Sequence, residues 1–197
     1  MYLGITGQRV KAKDLVTWGI ATHYVPTAKL DDLVNSITAS VTEKTSDKEI
    51  MEIVNSHSEL TAGHTPEIPN HAEIRDIFQM DSATEIMKRL DSSTTPFAEQ
   101  TRKMLTKMSP LSVAVVFEQI KRGVDMNIHD VFKMEYRMSQ GFMNHPEFFE
   151  GVRALLVDKD KNPKWTHKHV SEVTKAEVDF FFDFPVDNNL DILQYKN

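Results

Sequence analysis

SPLSVAVVFEQIKRG, residues 109–123, repeats its apolar side chains at the period of an α-helix. The positions i, i+3, i+4 and i+7 are occupied by Val113, Val116, Phe117 and Ile120. Pro110 follows Ser109, and proline is favoured at the first helical position, where its missing N–H costs nothing. The stretch therefore predicts a helix that begins at Pro110 and buries one apolar face.

Two further apolar stripes lie downstream, and each predicts another helix with a buried face. They consist of Ile128, Val131, Phe132 and Tyr136, and of Phe148, Val152, Leu155 and Leu156. Helix starts are also marked by the spacing S/T-x-x-E, in which side chains and backbone donors satisfy each other. This spacing occurs at Ser46 and Glu49, Ser82 and Glu85, and Thr174 and Glu177, while prolines mark starts at Pro96 and Pro146.

The N-terminal stretch MYLGITGQR, residues 1–9, has the apolar spacing and the closing glycine, Gly7, of the last turns of a helix. A strand is predicted only at residues 20–25, which are rich in β-branched and aromatic side chains and are followed by Pro26. Because no second strand is evident, we expect this one to pair with another chain or with a sheet outside this sequence. The predicted fold class is mainly α, with at most one or two short strands near the N-terminus.

Composition limits the classes of function. The 197 residues, 40% hydrophobic and 26% charged, suffice for one domain or two small ones. A formal net charge of -6 argues against nucleic acid or an anionic membrane surface as a partner. No stretch approaches a membrane span, and no targeting signal is visible. The absence of cysteine excludes a disulfide framework, a thiolate nucleophile and a Cys-type zinc site.

His57, His64 and His71 recur every seven residues and would share one face of an unbroken helix. Gly63 and two prolines interrupt that helix, and no nearby carboxylate completes a ligand set, so we predict surface histidines and no metal site. Residues 167–169, His-Lys-His, are a still weaker candidate for a metal site, because a positively charged lysine separates the two imidazoles.

Other candidates for chemistry also have plainer interpretations. His129 and Asp130 are adjacent in sequence, but a catalytic dyad is set by folding, and no G-x-S-x-G elbow supplies a serine. Glu150, Asp158 and Asp160 flank an apolar helix, where solvated charge beside a core stripe is the common arrangement. Residues 180–184, FFFDF, could line an acyl pocket, but aromatic clusters at helical spacing belong to a core or subunit interface more often.

ITGQRVKAKDLVTWGIATHYVP, residues 5–26, resembles a segment of the enoyl-CoA hydratase/isomerase (crotonase) superfamily. In that segment a helix closes at a glycine, here Gly7, and a glycine-led strand ends in valine and proline, here Val25 and Pro26. The resemblance implies that the helix closed by Gly7 begins in sequence this chain does not contain. It also divides the chain into the tail end of the crotonase core, residues 1–26, a helical insertion, 27–91, and a C-terminal helical domain, 92–197.

Residues 108–123, 135–165 and 170–174 resemble one branch of that superfamily, the 3-hydroxyisobutyryl-CoA hydrolases, as does the long helical stretch between residues 30 and 91. The elements EGVRA, DKD and NPKW are specific in combination. The resemblance implies a C-terminal fragment of a thioesterase of valine degradation, located in mitochondria in a eukaryote and in the cytoplasm otherwise. Two alternatives stay open, a fragment of an enoyl-CoA hydratase/isomerase and a non-catalytic helical assembly module.

In this family the oxyanion hole and the catalytic carboxylates precede the segment that matches Ile5, so no catalytic residue is transferred and the chain alone is predicted to be inactive. Lys159 is the nearest match to a lysine that many members place near the phosphates of CoA. The resemblance implies no cofactor beyond CoA as part of the substrate, with the acyl-CoA bound only together with the missing half. It leaves homo-oligomer formation open. Without that half, we expect residues 1–26 to be poorly ordered or used in a contact between chains.

Overall fold

A computed structural model describes residues 1–61 and 67–186. The helices of these residues are α1 Tyr2–Thr6, α2 Ala12–Thr17, α3 Leu30–Ser40, α4 Asp47–His57, α5 His71–Phe78, α6 Ala83–Ser92, α7 Pro96–Leu105, α8 Pro110–Gly123, α9 Ile128–Met143, α10 Pro146–Val152 and α11 Lys175–Asp183. The strands are β1 His23–Tyr24 and β2 Leu60–Thr61. The predicted fold class, mainly helical with one or two short strands, is confirmed.

The strands form one small antiparallel sheet, in which His23 pairs with Thr61 and Tyr24 with Leu60. The strand predicted at residues 20–25 is thus present but shorter. The expectation that its partner lies outside the chain was wrong, because β2 supplies it. A partner of two residues shows no alternation of apolar and polar side chains, so the sequence pattern could not reveal it.

The chain divides into two compact units. One comprises Met1–Gln8 together with the residues from Ala72 onward, and the other comprises Arg9–His71. The domain boundaries after residues 26 and 91 stay predictions.

Local helix signals were predicted well. The hydroxyls of Ser46, Ser82 and Thr174 each accept a hydrogen bond from the backbone N–H three residues on, as the S/T-x-x-E spacing requires. Proline occupies the first position of α7, α8 and α10. Each of these helices therefore begins where its own sequence satisfies the first free backbone donors.

The core of the larger unit lies between α8, α9 and α11. Its buried members are Leu111, Val115, Met134, Met138, Phe181 and Phe182. Gly141 permits the close approach of α11, since a Cβ there would lie 3.1 Å from Cδ1 of Phe181. The aromatic run 180–184 thus contributes to a core, which agrees with the plainer of its two interpretations.

The predicted faces of α8 and α9 need correction. On α8 the buried positions are Leu111, Val113, Val115 and Phe117, so only two of the four predicted side chains are fully buried. On α9 the predicted face is wrong, because Ile128 and Phe132 are exposed while Met134 and Met138 are buried. Tertiary packing selects one side of a helix that is apolar around much of its circumference.

Helix α1 ends as predicted, at Gly7, whose φ of 60° places it in the left-handed region and whose N–H donates to the carbonyl of Leu3. Ile5 and Thr6 are buried. Tyr2 lies edge-on to the ring of Phe78 at 5.0 Å. The first eight residues thus pack within their own unit, and the expectation of poor order or an interchain contact for residues 1–26 stays a prediction.

Candidate functional site

A groove of about 670 Å³ lies between α10 and the loop that follows it. Its lining is mostly apolar, with Gly151, Leu155 and Trp165 among the wall residues. Glu147, Lys107 and Lys161 contribute the polar groups. Small-molecule sites in proteins occupy about 300–1,000 Å³ and combine apolar walls with a few placed polar groups. The groove is thus the candidate functional site.

The groove exists because α10 changes its winding at its end. His145 caps the helix by accepting from the N–H of Glu147, and after Val152 the chain continues as a π-helical turn, Arg153–Val157. Such wide turns re-aim side chains and occur frequently at functional sites. Leu155 and Leu156, 63% and 64% exposed, lie on this turn. The prediction that this stripe forms a core was therefore wrong, since Phe148 is exposed as well.

Trp165 forms one wall by lying against a glycine of α10. A Cβ at Gly151 would lie 3.3 Å from Cη2 of the indole, so the ring occupies space that any other residue would fill. The indole Nε1 donates to the carbonyl of Lys107 at 3.3 Å. Gly151 therefore permits the indole to lie close to the helix.

Arg153 holds the following loop in place. Its guanidinium donates to both oxygens of Glu150, at 2.9 and 2.7 Å, to Asp158 at 2.6 Å and to Asp160 at 2.7 Å. These hydrogen bonds raise the pKa of Arg153 far above its ordinary value. The three carboxylates noted in the sequence are thus joined by one cation. Glu150 also accepts from the backbone N–H of Lys164 at 2.5 Å.

The hydrogen bonds that Glu150 accepts lead us to expect that their contribution to stability depends on pH. Hydrogen bonds from Arg153, and next from the Lys164 N–H, lower the pKa of Glu150 from 4.5 to about 2. Because the folded-state pKa is depressed, the contact contributes to stability above pH 4.5 and loses that contribution as the pH falls through about 2. We expect the Lys164 amide resonance to titrate with a midpoint near pH 2 in NMR spectra, and this transition to vanish in Glu150→Gln. A midpoint near 4.5 would show that the contact is absent in solution.

Lys159, the residue implied by the resemblance, lies in the loop next to the carboxylates that bind Arg153. It is exposed and adopts a left-handed backbone with a φ of 58°. Lys161 shares this conformation, with a φ of 54°. Of these two lysines, Lys161 is among the described residues that line the groove, and Lys159 is not. The left-handed backbone of both lysines could not be read from their residue type, because lysine rarely adopts it.

Glu147 is the groove residue that sequence reasoning missed. The residue is 3% exposed, and its Oε1 accepts from the backbone N–H of Thr166 at 2.7 Å. Its Oε2 is shielded from solvent and has no hydrogen-bond partner among the described residues. The sequence signal was only an acidic residue in a first helical turn, which usually reflects the helix dipole.

The histidines noted in the sequence serve local contacts. His57 lies with Nε2 3.2 Å from the hydroxyl of Ser36, and His64 lies outside the described residues. His167 lies with Nε2 3.0 Å from a carboxylate oxygen of Glu177, while His169 caps a short turn. Within residues 1–61 and 67–186, no group of three or more His, Asp or Glu side chains is arranged to hold a metal ion.

His129 is exposed on the first turn of α9. The neighbouring Asp130 accepts from the side-chain amide of Asn127 at 2.7 Å as part of the helix cap. No helix of the described part of the chain is long and apolar enough to cross a bilayer.

Comparison with known proteins places this geometry in a family context. The model of the family described as enoyl-CoA hydratase/isomerase matches residues 1–182. Among curated relatives, the mitochondrial 3-hydroxyisobutyryl-CoA hydrolase of Gallus gallus is 38% identical over 191 residues, which cover 95% of this chain and 49% of the relative. The enzyme of the same name from Dictyostelium discoideum is 36% identical, covering 98% of this chain and 50% of the relative. The chain thus spans about half the length of these relatives.

Solved structures also match nearly all of this chain and about half of their own length. A carnitinyl-CoA dehydratase from Mycobacterium thermoresistibile matches with a TM-score of 0.77 and 26% identity, over 94% of this chain and 51% of that protein. An enoyl-CoA hydratase from Rhodobacter sphaeroides matches with a TM-score of 0.72 and 27% identity, over 92% and 50% of the two chains. Both likenesses extend over nearly all of this chain.

Proposed function

The chain belongs to the enoyl-CoA hydratase/isomerase family, and on that premise we propose that it is the helical, C-terminal part of a 3-hydroxyisobutyryl-CoA hydrolase of valine degradation. One observation carries the proposal. The relatives that match this chain at 38% and 36% identity, over 95% and 98% of its length, bear that enzyme's name. Both are named as mitochondrial enzymes, and we extend that location to this protein as part of the proposal.

The groove supports the proposal because its chemistry suits part of a CoA thioester. A CoA molecule combines a long, mostly apolar arm with phosphates, and the groove combines apolar walls with Lys107 and Lys161. The exposed ammonium of Lys159 lies two residues from Lys161 and would add a third positive charge for the phosphates. In this proposal the lysines bind CoA and take no part in breaking the thioester bond.

The exposed apolar face of α10 and its π-turn supports a role within a larger protein. Phe148, Phe149, Leu155, Leu156 and Val157 are all more than two-fifths exposed. Apolar patches of this kind commonly mark surfaces that another structure covers. Since the relatives are about twice as long as the matched stretch, we assign the covering surface to the remainder of the longer enzyme. That remainder would also supply the oxyanion hole and the catalytic carboxylates.

Complementation tests the proposal. The chain alone is expected to release no CoA thiol from 3-hydroxyisobutyryl-CoA above background. Co-expression with the part of the Gallus gallus enzyme outside the matched stretch is expected to restore hydrolysis by about a hundredfold or more, the usual value of an oxyanion hole. Saturable release by the chain alone would overturn the prediction of inactivity, and a stable complex without activity would favour the assembly module.

A second function is favoured by the solved structures, which are named as a dehydratase and a hydratase. If the complemented protein hydrates an enoyl-CoA but leaves the thioester intact, the chain is the helical part of an enoyl-CoA hydratase/isomerase. Measuring both reactions on the same preparation separates the two functions.

A further inference from the structure

Arg153 binds every second residue in the first part of the loop that follows the π-turn. Its guanidinium donates to the carboxylates of Asp158 and Asp160, at 2.6 and 2.7 Å. It also donates to the backbone carbonyl of Asn162 at 3.4 Å. One side chain of the π-turn therefore contacts the loop at three points that are regularly spaced along the sequence.

Alternate residues of this loop contact the ion pair and the groove. Glu150, which pairs with Arg153, accepts from the N–H of Lys164 and so extends the contacts to every even-numbered residue from 158 to 164. The groove wall takes three odd-numbered residues of the same loop, Lys161, Pro163 and Trp165. The spacing of the contacts therefore decides which side chains of the loop line the groove.

Two lysines of the loop adopt a backbone conformation that lysine ordinarily avoids. Lys159 and Lys161 have φ angles of 58° and 54°, in the left-handed region where a Cβ lies too close to the backbone. Such conformations persist only where the surrounding contacts determine them, and they concentrate at ligand clamps and other functional sites. Arg153 binds the neighbours on both sides of each lysine. Its hydrogen bonds therefore hold the two strained turns.

We propose that Arg153 is a positioning residue for the ligand of the groove: it holds Lys161 and Trp165 where a CoA thioester contacts them. The inference rests on the proposed function, from which it takes the ligand. Arg153 is not among the described residues that line the groove, so it acts through the loop and not by touching the ligand. Its substitution is expected to weaken binding and to leave cleavage of the bound thioester unchanged.

The indole of Trp165 measures the position of the loop in the isolated chain. With Trp18→Phe the chain holds a single tryptophan, and the indole N–H of Trp165 donates to the carbonyl of Lys107. Arg153→Met keeps a long side chain but removes every donor. In NMR spectra of this variant we expect the indole N–H resonance to shift and its proton to exchange faster with water.

Ligand binding is measured in the complex of the chain with the complementary part of the Gallus gallus enzyme, because acyl-CoA is expected to bind only there. With coenzyme A as the probe, calorimetry should give a Kd about tenfold to a hundredfold higher for Arg153→Met, the value of one hydrogen bond to a charged group. For 3-hydroxyisobutyryl-CoA, KM should rise by a similar factor while kcat stays within about twofold, the pattern of lost binding without lost catalysis.

Arg122→Met is the matched control. Arg122 also binds two carboxylates, those of Glu118 and Asp179, both at 2.7 Å. Its side chain is 29% exposed, against 32% for Arg153. Neither Arg122 nor its two partners are among the described residues that line the groove. This control should leave the Trp165 resonance, the Kd of CoA and kcat unchanged.

A second variant keeps the test decisive if Arg153→Met does not fold. Asp158→Ala combined with Asp160→Ala removes the two loop carboxylates but keeps the pair between Arg153 and Glu150. Both aspartates are more than two-fifths exposed, so we expect the chain to fold. The double variant should move the Trp165 resonance and weaken CoA binding in the same direction.

The inference is overturned if the indole resonance stays in place in the loop variants, if the Kd of CoA is unchanged, or if the complex binds no CoA. Equal losses of kcat and kcat/KM also overturn it, because Arg153 would then act on the reaction itself.

Failure of the proposed function gives a different result. A complex that hydrolyses no thioester, but binds CoA more weakly after Arg153→Met, keeps the positioning role and shows that the reaction is wrong. A complex that hydrolyses the thioester with the same KM before and after Arg153→Met keeps the function and removes the role.

Discussion

Replacing Phe181 with alanine is expected to lower the free energy of unfolding by about 3–5 kcal/mol, which is a large part of the stability of an ordinary domain. The side chain is 0% exposed and stacks on Phe142 with ring centroids 4.2 Å apart. It also contacts Gly141, whose missing side chain leaves room for the ring. Because α8, α9 and α11 meet at this ring, the cavity left by alanine could close only if helices moved. Urea denaturation followed by circular dichroism measures the loss.

Phe180→Ala provides the matched control. The neighbouring ring is 40% exposed and meets Phe181 edge-on at 5.2 Å, so it has aromatic contacts without full burial. Its removal is expected to cost about 1 kcal/mol, the order of one aromatic pair. Equal losses for the two variants would contradict the placement of the core between α9 and α11.

These two phenylalanines also show what the sequence could and could not predict. Residues 180–184 read as an aromatic cluster at helical spacing, and that pattern alone left a core and an acyl pocket as alternatives. Helical period fixes which side chains share a face, but it does not fix what the face contacts. The choice was decided by Gly141, forty residues away, because its lack of a side chain admits Phe181.

Helix starts were predictable because their causes are local. Ser46 and Thr174 bind backbone donors within three residues of themselves, so the relevant partners stand side by side in the sequence. The strand partner at Leu60 and Thr61 had no local cause and was missed. The same reason hides the ion cluster, since Arg153 reaches Asp158 and Asp160 only after the π-turn brings them together.

The groove was harder to predict than the fold. The resemblance directed attention to Lys159, whose charge is visible in the sequence, whereas the buried acceptor of Glu147 depends on how the loop folds back onto α10. Burial and the lack of a partner are properties of the folded chain, and an isolated acidic residue near a helix start indicates neither. Groups of this kind become visible only when each buried polar atom is matched with a donor or acceptor.

Replacing both Leu155 and Leu156 with aspartate is expected to leave the stability of the isolated chain nearly unchanged and to weaken its complex strongly. The two side chains are 63% and 64% exposed, so the free energy of unfolding of the isolated chain should change by no more than about 0.5 kcal/mol. Association with the complementary part of the Gallus gallus enzyme should weaken about a thousandfold. The reason is that the complex would bury two unpaired carboxylates in place of apolar anchors. Denaturation measures the first quantity, and titration calorimetry with the complementary part measures the second.

Ile128→Asp is the control for that pair of leucines, because Ile128 is also exposed, at 59%, but lies on α9 rather than on the face formed by α10 and its π-turn. It should affect neither unfolding nor association. If the double aspartate variant unfolds several kcal/mol more easily, the leucines pack within the chain and the face is not exposed. If it associates as tightly as the original chain, the face exists but the remainder of the enzyme does not cover it. Only a stable chain that no longer associates supports a surface whose apolar residues are kept for the larger protein.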